Sequence, residues 1–251
     1  MLQDPMFYLV SVPAVLLYGV AKGGFGGAVA ILAVPLMALM MPPTQAAAIL
    51  LPILVVMDAV VVYSYRGQFD ALALRLLLPG ALLGLLAGFL LANFVNDAMM
   101  RLLVGAVALL FGLQTLLGWL SSLGQQHNRW SATIIGTLSG FTSFSIHAGG
   151  PPFAMYLLPK RLPPLIYAGT SGLYFAVVNL VKLPAYFALG QFAGENLWYS
   201  LALVPIAPIG VLLGRRLVKL SNPILYYKII SLFLVCVGIK LIVDGYQGFG
   251  A

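Results

Sequence analysis

Four ionisable side chains stand inside long apolar runs of this chain: Lys22, Asp58, His147 and Lys182. An ionisable group held at such a position costs a few kcal/mol if the surroundings are lipid, so function is the first reading to test for each. Lys22 opens the stretch Lys22-Gly23-Gly24-Phe25-Gly26-Gly27, and His147 opens His147-Ala148-Gly149-Gly150-Pro151-Pro152 beside Ser143 and Ser145. A lysine ammonium attracts an anion. A neutral imidazole donates a hydrogen bond to an oxyanion, and a protonated one pairs with it. Each group also has a plain structural alternative. Lys22 could snorkel toward an interface, and His147 could be a satisfied packing residue. Lys182 could be a second cationic contact, a vestibule charge or an anchor. Asp58 could carry a coupling proton or cation, or it could pair with a nearby Lys or Arg. Its counterpart in the second half of the chain falls near Asn179.

The glycines matter through the main chain. Unpaired amides in hydrocarbon cost several kcal/mol each, so irregular backbone at membrane depth must be enclosed by protein or line a wet cavity. Turns are expected over 22–27, carrying Gly24, Gly26 and Gly27, and over 145–150, carrying Gly149 and Gly150. Gly149-Gly150-Pro151-Pro152 also has the composition of a helix start, where proline is favoured and free amides face an anion. The rival explanation is close helix packing alone. For Gly80-x-x-x-Gly84-x-x-x-Gly88 and Gly210-x-x-x-Gly214, packing is the whole expectation.

The elements that hold these groups follow from composition. The chain is 62% hydrophobic and 8% charged with a mean hydropathy of +1.04, where a soluble domain carries about 25% charged residues. Lipid accepts that surface and water does not. The apolar runs are long and continuous, which excludes a transmembrane barrel. MLQDPMFYLV has no basic n-region and is expected to begin a helix rather than a signal peptide. One cysteine, Cys236, and two histidines leave no Cys/His metal cluster, and no cofactor is implied. The net charge of +7 fits membrane orientation better than nucleic acid.

Turn residues and charges divide the chain into five apolar segments per half: 6–21, 27–41, 45–65, 76–93 and 101–120, then 131–146, 151–159, 165–187, 197–214 and 224–243. The first two of each half are short, as in a helical hairpin or broken helix. The other three are long enough to span. The halves repeat one ordered series of landmarks. Pro42-Pro43, Tyr63-x-x-x-Gly67-Gln68-Phe69, Pro79, Gly84 and Gly112 return as Pro163-Pro164, Tyr186-x-x-x-Gly190-Gln191-Phe192, Pro205, Gly210 and Gly238, offset by roughly 121 to 126 positions. Loops with Arg66 and Arg75, Arg129, Lys160 and Arg161, and Arg215, Arg216, Lys219 and Lys228 fall on one side, which the positive-inside rule makes cytoplasmic. The Gly67 loop is then internal and the Gly190 loop external, so the halves run in opposite directions. The expected fold is all-α and polytopic, with repeats over 1–125 and 126–251 in one transmembrane domain.

At these residues the sequence resembles the sulfite exporter TauE/SafE family. The likeness is carried by Gly23-Gly24-Phe25-Gly26-Gly27 with Val34-Pro35-Leu36, by Gly140 through His147-Ala148-Gly149-Gly150-Pro151-Pro152 with Tyr156-Leu157-Leu158-Pro159, and by Asn179-Leu180-Val181-Lys182-Leu183-Pro184 leading to Gly190-Gln191-Phe192. The resemblance implies transport of an anion such as sulfite or a small organosulfonate. It also implies a role for Thr170-Ser171 after the second double-proline turn, whereas Ala46-Ala47-Ala48-Ile49 replaces the Thr-Ser that family members often carry in the first copy.

The expectation is a secondary transporter in the plasma membrane exporting a small inorganic or organosulfur anion through a midplane site between the halves. Its partners are that anion and the lipid bilayer, with a homo-oligomer left open. A channel or a proton- or sodium-coupled uptake carrier is the alternative. An intramembrane enzyme would need a nucleophile with its base or paired carboxylates, and Asp58 has no second acid nearby. A non-transporting scaffold would have no use for Lys22 and His147.

Overall fold

The computed structural model describes residues 4–24, 33–37, 40–92, 94, 96–117, 129–192, 194–220 and 223–250. Among these residues the protein is all-helical, 87% helix without strands. The first half contributes α1 (Pro5–Gly24), α2 (Ala33–Met37), α3 (Pro43–Ser64), α4 (Ala71–Leu91) and α5 (Asp97–Leu117). The second contributes α6 (Arg129–Ile146), α7 (Gly150–Leu157) with a 3-10 turn at Leu158–Lys160, α8 (Pro164–Ala188), α9 (Glu195–Leu203), α10 (Ile206–Leu220) and α11 (Pro223–Gly250).

Local chemistry accounts for several helix starts. Proline opens α3 and α8, where its missing N–H goes unused. Asp70 caps α4 by accepting from the Ala73 amide at 3.0 Å. Four helices, α1, α3, α4 and α8, are long and apolar enough to cross a membrane, and a fifth span results if α9 and α10 are taken together. Leu82, Leu83, Leu86 and Leu90 on α4 are exposed, as lipid permits.

Several expected boundaries change: α4 begins at Ala71 rather than 76, α5 at Asp97 rather than 101, and α11 runs to Gly250 rather than 243. Two further changes bear on the packing. The first segment does not stop at residue 21, and the first turn does not begin at 22. Lys22, Gly23 and Gly24 continue α1 to 20 residues, enough to span. Tertiary packing overrides glycine's low helix propensity here: a Cβ on Gly23 would lie 2.1 Å from the Val211 carbonyl oxygen, so only glycine lets α1 meet α10. The expected single segment over 197–214 is instead α9 and α10, bent by 44° across a break at 204–205. Pro205 supplies no amide there. Its counterpart Pro79 sits inside an unbroken α4.

Four helix pairs dominate the packing: α5 with α11, α4 with α6, α1 with α10, and α3 with α8. Glycine lines three of them. A Cβ on Gly80 or Gly84 would come within 2.3 or 2.0 Å of the carbonyl oxygens of Thr133 and Thr137, so α4 and α6 run parallel at backbone contact. Gly19 meets Gly210 and Gly214 meets Val20 and Gly24, which makes α1 and α10 parallel too. Gly105 faces Gly238 while Gly112 faces Ser231, so α5 and α11 are antiparallel. On α3 and α8, Asp58 meets Asn179 and Tyr65 meets Gly169, again antiparallel.

Candidate functional site

The buried polar groups gather where α3 and α8 cross beside the ends of α1 and α6. Lys22, on the last turn of α1, is 3% exposed and holds its Nζ 2.7 Å from Asp58 Oδ1 on α3. The same ammonium donates to the Leu54 carbonyl at 3.3 Å. The Asn179 amide on α8 donates to the other carboxylate oxygen, Asp58 Oδ2, at 2.8 Å. Both oxygens of the acid are therefore engaged, and the pair is neutral as a unit.

One turn farther along the same face of α8, Lys182 is 1% exposed. Its Nζ lies 3.0 Å from the Ser143 carbonyl, 3.2 Å from Ser143 Oγ and 2.7 Å from His147 Nδ1. Three acceptors match the three N–H groups of an ammonium. The second ring nitrogen of His147, Nε2, is 2.9 Å from the Ala47 carbonyl oxygen. A carbonyl only accepts, so Nε2 carries the hydrogen, Nδ1 is left as the acceptor for Lys182, and the imidazole is neutral.

The backbone around His147 is under strain. His147 has φ of 54°, in the left-handed region that disfavours side chains. Its amide bonds Ser143 O, and the Ala148 amide bonds Thr142 O, closing the end of α6 over this residue. Such a conformation costs about 1–3 kcal/mol and persists where surrounding contacts over-determine it. Here they are Ala47, Lys182, a Tyr18 hydroxyl donating to the His147 carbonyl at 3.4 Å, and Tyr186 stacked on the ring at 6.0 Å between centroids.

A cavity of about 80 Å³ lies beside this cluster and shares Ala47 and Tyr186 with it, while Lys22, Ser143, His147 and Lys182 do not line it. Asn96 and Gln191, at helix ends, line it together with Ala47, Phe144, Ser145 and Tyr186. Ala47 and Tyr186 thus line the cavity and also contact His147. The cluster thus holds one lysine paired with a carboxylate and a second lysine whose hydrogen-bond partners are all neutral.

The family model for Sulfite exporter TauE/SafE matches residues 11–241. The chain belongs to the TauE/SafE family. As a member of a transporter family with at least four helices fit to cross a bilayer, it is a multi-pass membrane protein. No curated protein and no solved structure matches it.

Of the residues singled out from sequence, the structure brings together Lys22, Asp58, Ser143, His147, Asn179 and Lys182. Ser145 lines the cavity and spends its hydroxyl on Phe141 O at 3.1 Å. Gly24 ends α1 against Gly214. Gly149 packs against α6, where a Cβ would lie 2.7 Å from Ser139 O, and its carbonyl accepts from Ser139 Oγ. Gly150 begins α7 and is buried. Thr170 sits twelve residues before Lys182 on α8, roughly 18 Å at helical rise. Its hydroxyl accepts from the Asp70 amide and donates to Ile166 O, and Ser171 is buried beside it. Gly26 and Gly27 lie outside the described residues.

Sequence reasoning missed the Ala47 and Leu54 carbonyls and gave no role to Tyr18 or Tyr186. Backbone acceptors leave no mark in a residue pattern. Tyr186 did leave one, as a landmark of the repeat. Its hydroxyl donates to the Phe144 carbonyl, and Tyr65 donates likewise to Gly23; each pair is separated by 42 positions.

Proposed function

We propose that this protein is a secondary carrier that exports a small sulfur-containing anion across the plasma membrane, binding it at Lys182, Ser143 and His147. The observation that carries this reading is Lys182: an ammonium 1% exposed whose hydrogen-bond partners are all neutral, the nearby Asp58 being paired with Lys22. A buried cation without a counter-charge is costly, and an incoming anion supplies that charge. Lys22 already has Asp58 and serves to hold the cluster together.

The repeats over 1–125 and 126–251 act as inverted modules around this site. Support comes from the reciprocity of the packing. With the bent α9–α10 pair counted as one element, the fourth element of one half lies on the first of the other in both directions, as α4 on α6 and α10 on α1. The self-paired helices, α3 with α8 and α5 with α11, are antiparallel. A site on such an axis can face either side of the bilayer in turn.

Export needs no coupling ion. An interior-negative potential drives each negative charge outward with about 2.3 kcal/mol per 100 mV. The test is flux from proteoliposomes loaded with sulfite, sulfate, thiosulfate or short sulfonates, with and without an imposed potential. Saturable, potential-accelerated efflux of at least one of them is expected. Flux that rises linearly with concentration would make the protein a channel, and no flux of any anion would end the proposal.

A further inference from the structure

We infer that the buried cluster holds one unit of uncompensated positive charge, so that the cargo is a monoanion, and that Asp58 sets this valence. The inference rests on the carrier reading and adds the charge of the species carried. Among the described residues, the buried ionic and histidine side chains are Lys22, Asp58, His147 and Lys182. Lys22 and Asp58 cancel at 2.7 Å. His147 is neutral because Ala47 O requires a hydrogen on Nε2 and Lys182 occupies Nδ1. What remains is the charge of Lys182.

The charge of the pocket discriminates among anions that have the same shape. A single anionic charge brings the pocket to neutrality. A dianion overshoots it and leaves the pocket as far from balance as before, with the opposite sign. The dianion also loses far more hydration, because the Born cost of leaving water rises with the square of the charge. Asp58 is the lever. It adds nothing to the contacts of Lys182, yet it removes one positive charge from the enclosed region. Asn179 holds the carboxylate in place from three residues before Lys182 on α8. If the acid were lost, Lys22 would become a second uncompensated cation, and the pocket would suit two negative charges.

Methanesulfonate and sulfate make a clean comparison, since both are tetrahedral, similar in size and of fixed charge at neutral pH. The full-length protein in proteoliposomes is expected to move methanesulfonate at least about tenfold faster than sulfate. Asp58→Asn should shift that ratio toward sulfate by at least about tenfold. Combining Lys22→Gln with Asp58→Asn restores the original charge and should restore the monoanion preference, which also serves where Asp58→Asn alone does not fold. The inference is overturned by equal wild-type rates for the two anions, by an unchanged ratio in a folded Asp58→Asn protein, or by a double variant that prefers sulfate. Absence of any wild-type anion flux would instead overturn the carrier reading beneath it.

Discussion

Asp58 and Asn179 stand 121 positions apart in the chain and join side chains at 2.8 Å. The same offset relates Tyr65 to Tyr186, and it relates the carbonyls they bond, Gly23 and Phe144. Positions separated by this offset thus meet directly in one case and make the same bond at separate places in another, although the sequence landmarks had set Tyr63 rather than Tyr65 against Tyr186. By this offset the partner of Lys22 is Ser143, the residue that accepts from Lys182. Under the proposed repeat, a cation in one half and an acceptor in the other would occupy matching sites, alike in geometry and different in charge.

That difference makes the Lys22–Asp58 pair a stability element. Lys22→Ala would leave a carboxylate buried with Asn179 as its main partner, at an expected cost of about 3–5 kcal/mol. Removing both charges should recover much of the loss. Thermal unfolding of the single and double variants in detergent measures this. Losses that simply add would show that the two side chains do not compensate each other.

Lys182 and His147 should behave differently from that pair. Lys182→Gln is expected to reduce anion efflux on the order of a hundredfold, equivalent to about 3 kcal/mol of lost binding or transition energy. His147→Ala should fall in the same range, because it removes a ligand of Lys182 and the anchor to Ala47 together. Wild-type efflux in both variants, with intact folding, would remove these residues from the site.

The cavity predicts accessibility from one side. Ser145 lines it, and the expected orientation opens that side to the exterior. With the exposed Cys236 replaced by serine, Ser145→Cys should react with a membrane-impermeant thiol reagent added outside intact cells. Saturating substrate anion should slow the reaction. Labelling only after the cytoplasmic face is exposed would reverse the orientation.

Two glycines separate packing from backbone conformation. Gly84→Ala would drive a Cβ to 2.0 Å from the Thr137 carbonyl oxygen across the α4–α6 contact. It should cost upwards of about 3 kcal/mol or prevent assembly. Gly67 has φ of +74° and nothing within 4 Å of a new Cβ. Gly67→Ala should cost only about 1 kcal/mol. Similar melting temperatures for the two variants would contradict the close approach of α4 to α6.

The helices were legible because bilayer burial needs long apolar runs, but the start of α4 was not: it begins at Ala71, capped by Asp70, five residues before the expected 76. The break between α9 and α10 was harder to see. Pro79 and Pro205 look alike in sequence, yet the helix continues through one and breaks at the other. The end of α1 was misread for a related reason. Gly23 and Gly24 signal a turn in isolation, and only the contact with α10 gives a glycine helix its stability.

The candidate site divides the same way. The sequence alone marked Lys22, Asp58, His147 and Lys182, because ionisable groups stand out against lipid-soluble neighbours whatever the fold. It could not assign partners. Aligning glycine motifs set His147 opposite Lys22, whereas the hydrogen bonds make Ser143 its counterpart and join His147 to Lys182. Which lysine is paired with Asp58 and which has only neutral partners depends on distances of a few ångströms between helices far apart in the chain. Coulomb energy falls with distance and rises as water is excluded, and both are set only when the helices pack.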